Sequence, residues 1–454
     1  MKIAVQTSLP AFQNDIGDVV RLFYGEGAAV EETQQADARL THIHEEADGE
    51  WRETFVLTDC SGRTEQSTLS APAVSGGLEE KRQKKRLIKR CCYMLFKRLS
   101  GRQPAWGSLT GIRPTRLYYQ QLENGKTRGE ARRTLQDLFD LSQEKIDLLD
   151  EILDAQQGLM DRRARACDVY IGIPFCTTRC AYCSFSSGEI GDGRLVEPYL
   201  AALLHEIEAC AEMAREMGLH IRVGYIGGGT PSSLTTPQFD RLLAHVEKHF
   251  GALAEFTVEA GRPDTLDAQK LRMIHDHPVT RISINPQTMN DATLARIDRA
   301  HTAKQTVEAY ELARSIGFDD INMDVIAALP GEDYAMFAHT LAEIRRLRPE
   351  SLTVHTLAIK RSSRLHEEKY AQAEQDVARM AHDMGMRAYY LYRQKYMAEN
   401  LENVGYALPG RFCRYNIDNM EETTSILALG AGGISKCVMR EEEKILRAPN
   451  IANI

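Results

Sequence analysis

The chain has 454 residues, of which 43% are apolar and 26% are charged, and its formal net charge is −8. This composition is that of a folded globular protein, and the length exceeds one ordinary hydrophobic core, so we expect two or three domains. The negative charge argues against a general nucleic-acid binder, no apolar run approaches the ~20 residues of a membrane span, and the first residues lack the apolar segment of a secretory signal.

Residues 1–160 are expected to form an α+β domain. Short candidate strands such as Thr54–Thr58 come first. A basic stretch at residues 79–100 follows, and it has apolar residues at i, i+4 spacing on one helical face, namely Leu87, Cys91, Leu95 and Leu99. We expect an amphipathic helix that packs through this face, and the alternative is a binding site for an acidic partner. Helical sequence then continues to about residue 165.

Residues 165–365 alternate short β-branched or apolar runs with helical segments. The predicted strands are Val169–Ile173, Val223–Ile226, Phe256–Glu259, Arg281–Asn285, Ile321–Ile326 and Ser351–Leu357. Strands that alternate with helices form parallel βαβ units, and six such units make a partial (β/α)6 TIM-like barrel. The active site of such a barrel lies at the carboxyl ends of its strands.

Residues 366–454 are predicted to be mostly helical. The run Tyr389–Tyr396 is taken as a continuation of the preceding helices. We expect this C-terminal helical extension to cover the substrate at the open side of the barrel.

Three cysteines follow the first predicted barrel strand with the spacing C-x3-C-x2-C: Cys176, Cys180 and Cys183. Thiolates are the usual ligands of iron–sulfur clusters, and a [4Fe–4S] cluster held by three of them keeps one iron free to bind a substrate or cofactor. The alternatives are a zinc site or thiols packed in a core, but structural zinc usually takes two separated ligand pairs, and Cys413 and Cys437 stand alone. The other cysteines are scattered, which indicates a reducing cytoplasm and not a disulfide framework.

Other polar or glycine-rich residues are predicted at the same ends of the strands. Gly227–Pro231 follows the second strand, and glycine lets a ligand approach the backbone, although a plain turn before a helix is an alternative. Glu259 ends the third strand and Gln287 follows the fourth. Asp324 interrupts an apolar strand and therefore needs a partner or a ligand. These residues are expected to share one rim of the barrel.

Several basic residues follow the third and sixth strands: Arg262, Lys360, Arg361 and Arg364. They are either solvated loop charges or a clamp for an acidic substrate, because Arg pairs with carboxylates through two hydrogen bonds.

In this order, the cysteine and glycine motifs resemble the radical S-adenosylmethionine (SAM) enzymes, and more narrowly the oxygen-independent coproporphyrinogen III oxidase group. The later motifs Val258–Thr265, Arg281–Gln287 and Asn322–Gly331 follow in the order of that group. Outside the barrel, Trp106–Pro114 and the run from Leu357 look like the HemZ-type coproporphyrinogen dehydrogenases.

The resemblance implies a barrel of the radical SAM type with a [4Fe–4S] cluster and S-adenosylmethionine as cofactors. Cys176, Cys180 and Cys183 would hold the cluster. The residues implied to lie at the cluster or contact S-adenosylmethionine are Tyr170, Gly228, Gly229, Thr230, Glu259, Gln287 and Asp324.

The resemblance also implies an activity. The cofactors would generate a radical that takes a hydrogen atom from a propionate of coproporphyrinogen III, and loss of carbon dioxide and one electron would give a vinyl group. Two rounds would give protoporphyrinogen IX in heme biosynthesis, with an electron donor such as flavodoxin or ferredoxin. Phe185 stands where well-understood members have a fourth cysteine. Heme chaperones share this pattern, so a heme-binding chaperone on the same scaffold is the alternative.

Overall fold

The computed structural model describes residues 1–25, 27–30, 36–111, 113–160, 163, 165–183, 187–356, 367–393, 402–440, 442 and 444–451, with the backbone alone at 367–371. The chain divides into two compact units. The N-terminal unit comprises Met1–Asp150 and Arg393–Leu401, and the barrel unit comprises Glu151–Tyr392 and Glu402–Ile454. The predicted Phe185, Lys360, Arg361 and Arg364 lie outside the described residues. Within the described part of the chain, no helix combines the length and apolar character that crossing a membrane requires.

The N-terminal unit contains a sheet with the strand order β2-β1-β3-β4-β5, and helices pack on it. Its elements are β1 (Ile3–Thr7), α1 (Gln13–Tyr24), β2 (Ala29–Val30), β3 (Ala38–Ala47), β4 (Glu50–Asp59), β5 (Thr64–Pro72), α2 (Gly77–Ser100), α3 (Pro114–Glu123), α4 (Arg128–Phe139) and α5 (Gln143–Ala155), which continues into the barrel unit. β1 pairs in parallel with β2 and β3, and β3, β4 and β5 form an antiparallel meander.

Helix α2 is the predicted basic helix, and it packs through an apolar face. Its buried residues include Ile88, Cys91, Cys92, Leu95 and Phe96, whereas the predicted Leu99 is exposed. Its basic side chains pair with acidic residues of the same unit: Lys84 with Glu80, Lys85 with Asp15, Lys97 with Asp140 and Arg98 with Glu65. The amphipathic, docked helix is therefore confirmed.

The barrel unit is built on an eleven-stranded sheet. The described strands of the barrel unit, of which all but β7 and β8 belong to this sheet, are β6 (Ala166–Ile173), β7 (Phe175–Cys176), β8 (Gly188–Glu189), β9 (His220–Gly228), β10 (Glu255–Gly261), β11 (Arg281–Ile284), β12 (Ile321–Ala327), β13 (Ser351–Thr356), β14 (Arg387–Tyr392), β15 (Asn403–Ala407), β16 (Ser425–Leu429), β17 (Ile434–Met439) and β18 (Lys444–Pro449). Its helices are α6 (Val196–Glu216), α7 (Thr236–Phe250), α8 (Ala268–Asp276), α9 (Asp291–Arg296), α10 (Ala303–Ile316), α11 (Tyr334–Leu347), α12 (Glu367–Asp383) and α13 (Arg414–Glu421). Within the described residues, β7 and β8 form a separate two-stranded sheet, and the other eleven strands form the large sheet.

The predicted partial (β/α)6 barrel is confirmed. β6, β9, β10, β11, β12 and β13 lie side by side in chain order, and every neighbouring pair is parallel. β16 adds a further parallel strand beside β6, and the antiparallel β15 pairs with β13 at the other side. The carboxyl ends of the parallel strands therefore form one rim, and the cysteine loop begins there.

The predicted helical C-terminal extension begins as expected with α12, but it is wrong for the residues beyond that helix. Residues 387–449 contribute β14, β15, β16, β17 and β18 to the barrel sheet, and α13 is a short helix between them. The run Tyr389–Tyr396 was expected to be helical, but its residues up to Tyr392 belong to β14, because tyrosines suit the pleated surface of a strand. Residues 394–396 lie outside the described residues. The open edges of β13 and β6 also offer unpaired backbone groups, which β15 and β16 satisfy.

Helix α13 lies at the amino ends of the barrel strands, opposite the cysteine loop. The backbone N–H of Arg414 donates to the carboxylate of Glu255 over 2.9 Å, which places an acidic group at the helix N-terminus. Arg222 donates to Asp418, and its Nε lies 3.1 Å from Asp168 Oδ1. This part of the C-terminal region therefore closes the amino end of the barrel, because the buried charges there require partners. That the C-terminal region covers the substrate stays a prediction.

Replacing Asp418 is expected to destabilise the barrel unit. Asp418→Ala removes a buried carboxylate that accepts hydrogen bonds from Thr423 and Thr424 over 2.9 Å each. It also removes one of the carboxylates that pair with the buried Arg222. We expect a loss of about 2 to 4 kcal/mol in the free energy of unfolding, measured by urea titration. The control is Asp319→Ala, because Asp319 forms an exposed ion pair with Arg411 and is expected to change stability by less than ~0.5 kcal/mol. Equal effects of the two variants would contradict this view of α13.

Candidate functional site

The cysteine loop begins in β7 at the carboxyl end of β6. Cys176, Cys180 and Cys183 are all partly exposed and free of disulfides. Three free thiols on one loop match the thiolate donors that iron–sulfur clusters take. Among the described residues, no three Cys, His, Asp or Glu side chains are already gathered around a metal position. The three thiols thus share one loop at the rim of the barrel.

The glycine loop after β9 lies directly against the start of the cysteine loop. The backbone N–H of Gly229 donates to the carbonyl of Ile173, and that of Thr230 donates to the carbonyl of Phe175, each over 2.7 Å. The Thr230 hydroxyl donates to the Cys176 Sγ over 3.5 Å. A Cβ at position 229 would lie 2.6 Å from the Phe175 carbonyl oxygen and 2.9 Å from Cys176 Sγ. Position 229 therefore requires glycine because the glycine loop and the cysteine loop approach each other closely, and a simple turn would not impose this requirement.

Glu259 lies near the carboxyl end of β10 and accepts a hydrogen bond from the Tyr225 hydroxyl. Burial raises the pKa of Glu259 to about 7; the Tyr225 hydrogen bond opposes this rise, and the charge of Asp324 adds to it. The group therefore changes its charge near neutral pH.

Asp324 is held in its ionised form by two neighbours in the barrel interior. The Asn322 Nδ2 donates to Asp324 Oδ1 over 2.8 Å, and the His355 Nε2 lies 3.8 Å from Asp324 Oδ2. Burial acts to raise the pKa of Asp324, but the contacts with His355 and Asn322 outweigh burial and lower this pKa. Two carboxyl groups of the barrel interior, Glu259 and Asp324, thus have pKa values shifted in opposite directions.

His355 was not singled out from the sequence. It lies in β13, and its Nδ1 is 3.2 Å from the hydroxyl of Tyr392 in β14. Ser351, Thr353 and His355 alternate along the strand and therefore lie on the same face. This period of two in the sequence could have identified His355 as a candidate site residue.

Gln287 carries two marks of a ligand-binding position. Its φ is +65°, an uncommon conformation for a residue with a side chain. Its backbone is fixed between Asp324 and Ile326 by hydrogen bonds of 2.9 Å. Its side-chain Oε1 is buried, and within the described residues it has no hydrogen-bond partner. A strained backbone and an unsatisfied buried acceptor fit the contact of this side chain with a bound group.

Tyr170 lies in an aromatic stack in the barrel interior. Its ring centroid is 6.3 Å from that of Tyr225 and 6.0 Å from that of Tyr415, and burial raises the pKa of its hydroxyl. The resemblance implies that Tyr170 lies at the cluster. The hydrogen-bonding contacts of the first cysteine, Cys176, are with Thr230 and Ser187.

Arg262 is neither a solvated charge nor a free clamp, so both sequence-based interpretations of this residue are wrong. It is 2% exposed and binds Asp264 and the cysteine-loop residue Thr178. A second arginine, Arg299, was missed: its Nη2 donates to the hydroxyl of Tyr182, between the second and third cysteines, over 2.9 Å. No sequence spacing links either arginine to the cysteines, because both contacts arise from the tertiary fold.

Comparison with known proteins extends these observations. The model of the family described as the Radical SAM superfamily matches residues 170–344. The oxygen-independent coproporphyrinogen-III oxidase-like protein HemZ of Bacillus subtilis (strain 168) is 41% identical over 362 residues, 76% of this chain and 72% of that protein. The heme chaperone HemW of the same organism is 36% identical over 193 residues, 42% of this chain and 50% of that protein.

Among solved structures, the coproporphyrinogen III oxidase HemN of Escherichia coli, described as a radical SAM enzyme, is similar. Its TM-score is 0.52 at 22% sequence identity, and the match covers 66% of this chain and 69% of that chain. This likeness supports the fold of the barrel unit.

Gly229→Ala is expected to separate the two rim loops. The new Cβ would collide with the Phe175 carbonyl and Cys176 Sγ, so we expect a loss of about 1 to 3 kcal/mol in the free energy of unfolding and poorer iron retention after reconstitution. The matched control is Gly188→Ala in neighbouring β8, where a Cβ meets nothing within 4 Å. Urea unfolding and iron analysis of both variants test this, and a Gly229→Ala variant with the behaviour of the control would refute the close-approach argument.

Glu259→Gln is expected to change the pH dependence of stability. As the pH rises from 4.5, the ordinary pKa of the group, to about 7, the unfolded chain ionises Glu259 while the folded chain keeps it neutral, so the wild type loses stability. The variant lacks this loss. The stability difference between variant and wild type is therefore expected to increase in favour of the variant by on the order of 2 kcal/mol between pH 5 and pH 8. Urea unfolding at both pH values measures it, and a pH-independent difference contradicts it.

Proposed function

The chain belongs to the radical SAM superfamily and, within it, to the HemZ group of oxygen-independent coproporphyrinogen-III oxidase-like proteins, and on this premise we propose that it converts coproporphyrinogen III to protoporphyrinogen IX without oxygen. Its cofactors are those of the superfamily, a [4Fe–4S] cluster and S-adenosylmethionine. The observation that supports the proposal most is the extent of the likeness to HemZ, which reaches 76% of this chain and so extends beyond the barrel.

The proposed reaction is an oxidative decarboxylation of two propionate side chains. In each round one hydrogen atom leaves the propionate, the carboxylate departs as carbon dioxide, and one electron passes to an acceptor, so that a vinyl group remains. When bound, the cluster and S-adenosylmethionine supply the one-electron chemistry, and the protein contributes binding, orientation and exclusion of water. An electron donor such as flavodoxin or ferredoxin would reduce the cluster.

In this proposal Cys176, Cys180 and Cys183 are the thiolate ligands. Gly228, Gly229 and Thr230 would contact the methionine part of the cofactor, and the hydrogen bonds of Gly229 and Thr230 to the carbonyls of Ile173 and Phe175 hold this loop beside Cys176.

The polar residues near the rim would bind the remaining polar groups of the cofactor. Gln287 offers an unsatisfied buried oxygen, Asp324 offers a carboxylate held ionised, and Glu259 offers a carboxyl group that ionises near neutral pH. Tyr170, which stacks with Tyr225 and Tyr415 in the barrel interior, would lie beside the cluster ligands.

A heme-binding chaperone is the second candidate function. The likeness to the heme chaperone HemW favours it, although the match to HemW of Bacillus subtilis covers 42% of this chain and the match to HemZ covers 76%. Titration with heme separates the candidates: stoichiometric binding with a Soret band and no turnover would support the chaperone, and the absence of a Soret band would remove it.

Anaerobic turnover of the reconstituted protein tests the proposed activity. With reductant, S-adenosylmethionine and coproporphyrinogen III, we expect both 5′-deoxyadenosine and a vinyl product, detected by chromatography and mass spectrometry. The control is Cys180→Ala, which is expected to form neither, because two thiolates do not hold the cluster in its reactive form. Formation of 5′-deoxyadenosine without a vinyl product would contradict the substrate assignment and leave the superfamily chemistry intact.

A further inference from the structure

We propose that Arg262, paired with Asp264, is a positioning residue that fixes the segment between Cys176 and Cys180 for cluster binding. The inference rests on the proposed cluster ligands, and it assigns a task to residues that do not touch the cluster.

All the polar groups of the Arg262 side chain have partners on the rim. Its Nε and Nη2 donate to the two oxygens of Asp264 over 3.1 and 3.0 Å, and its Nη1 donates to the carbonyl and hydroxyl oxygens of Thr178 over 3.0 and 2.8 Å. Only the planar guanidinium offers this two-sided fork, because the ammonium of lysine is a single point charge. At 2% exposure, these hydrogen bonds face little competition from water.

Both residues that follow Cys176 are held by this pair. The hydroxyl of Thr177 donates to Asp264 Oδ2 over 3.4 Å, and the hydroxyl of Thr178 donates onward to the carbonyl of Asp298 over 3.1 Å. The segment between the first and second cysteines is therefore attached at two consecutive residues.

The segment between the second and third cysteines is attached separately. The backbone N–H of Ala181 donates to the carbonyl of Ile297 over 3.2 Å, and Tyr182 receives its hydrogen bond from Arg299. Two anchors, one from the loop after β10 and one from the end of α9, thus hold the two spacers of the motif.

The loop that carries Arg262 is itself fixed to the glycine loop. The hydroxyl of Thr265 lies 2.6 Å from that of Ser232 and donates to the Arg262 carbonyl over 2.7 Å. Lys270 Nζ donates to the carbonyls of Ser232 and Thr265 over 2.6 and 3.2 Å. Arg262 therefore connects the cysteine loop to a rigid part of the rim.

Such an attachment lowers the entropy that the loop loses when three thiolates converge on one cluster. Without it, the backbone between Cys176 and Cys180 has more conformations to lose, and the cluster dissociates more readily.

The variants are Arg262→Gln, the double variant Arg262→Gln/Asp264→Asn, which leaves no unpaired buried charge, and Arg262→Lys. We expect iron release to a chelator, followed by absorbance near 400 nm, to be roughly tenfold faster in Arg262→Gln and in the double variant, and intermediate in Arg262→Lys. The control is Arg241→Gln, because Arg241 forms an exposed ion pair with Glu197 and is expected to match the wild type.

A second measurement reports loop order without the cluster. Arg179 is exposed in the middle of the cysteine loop, where its backbone N–H donates to Glu189 over 3.1 Å. In the full-length protein before reconstitution, we expect trypsin to cleave after Arg179 faster in Arg262→Gln and in the double variant, with cleavage at other sites unchanged. Mass spectrometry of the fragments identifies the site.

The outcomes separate this inference from the proposed function. Wild-type rates of iron release and of cleavage after Arg179 in the double variant would overturn the inference, and so would a uniform increase of cleavage at all sites, because that indicates general destabilisation. If the wild type forms no cluster, the proposed function fails, and the cleavage rate after Arg179 still decides whether Arg262 orders the loop.

Discussion

The rim of the barrel depends on two backbone hydrogen bonds, from Gly229 to Ile173 and from Thr230 to Phe175. They join the glycine loop of one strand to the cysteine loop of its neighbour, and they form only because position 229 has no Cβ. Cys176 then lies beside Thr230, so that the first thiolate donor is held against the glycine loop. The other features of the site are arranged around this contact.

The barrel interior contains ionisable groups that would be unfavourable in an ordinary core. Near the rim, Glu259 and Asp324 have pKa values moved in opposite directions, which suits contacts with a ligand carrying both charged and neutral polar groups. At the amino end, Arg222 is enclosed between carboxylates, one of which comes from α13. The amino end of the barrel is thus closed by paired charges. At the carboxyl end, Glu259, Gln287 and Asp324 are the polar groups that we propose for ligand binding.

The sequence predicted the parallel strands well because their apolar runs are short, rich in β-branched residues and separated by helical segments. It also placed Glu259 near the carboxyl end of its strand, whereas Asp324, predicted for the same rim, is the central residue of β12 and lies deeper in the barrel. The part of the predicted helical run Tyr389–Tyr396 that lies in β14 was misassigned because a short aromatic segment without a clear period does not distinguish strand from helix, and its pairing with β15 makes it a strand.

The roles of Arg262 and His355 could not be predicted for a different reason. Arg262 contacts Thr178, which is 84 residues away in the sequence, and His355 contacts Asp324 from the adjacent strand. Charge alone does not distinguish a buried, doubly paired arginine from a solvated one, because the distinction lies in the loops that surround it.

We propose that Cys176, Cys180 and Cys183 hold a [4Fe–4S] cluster with one iron left for S-adenosylmethionine. Electron paramagnetic resonance of the reduced, reconstituted protein, recorded before and after addition of S-adenosylmethionine, tests this assignment. We expect about four irons per chain and a spectrum that changes when the cofactor is added. An iron–sulfur signal that is identical with and without S-adenosylmethionine would contradict it.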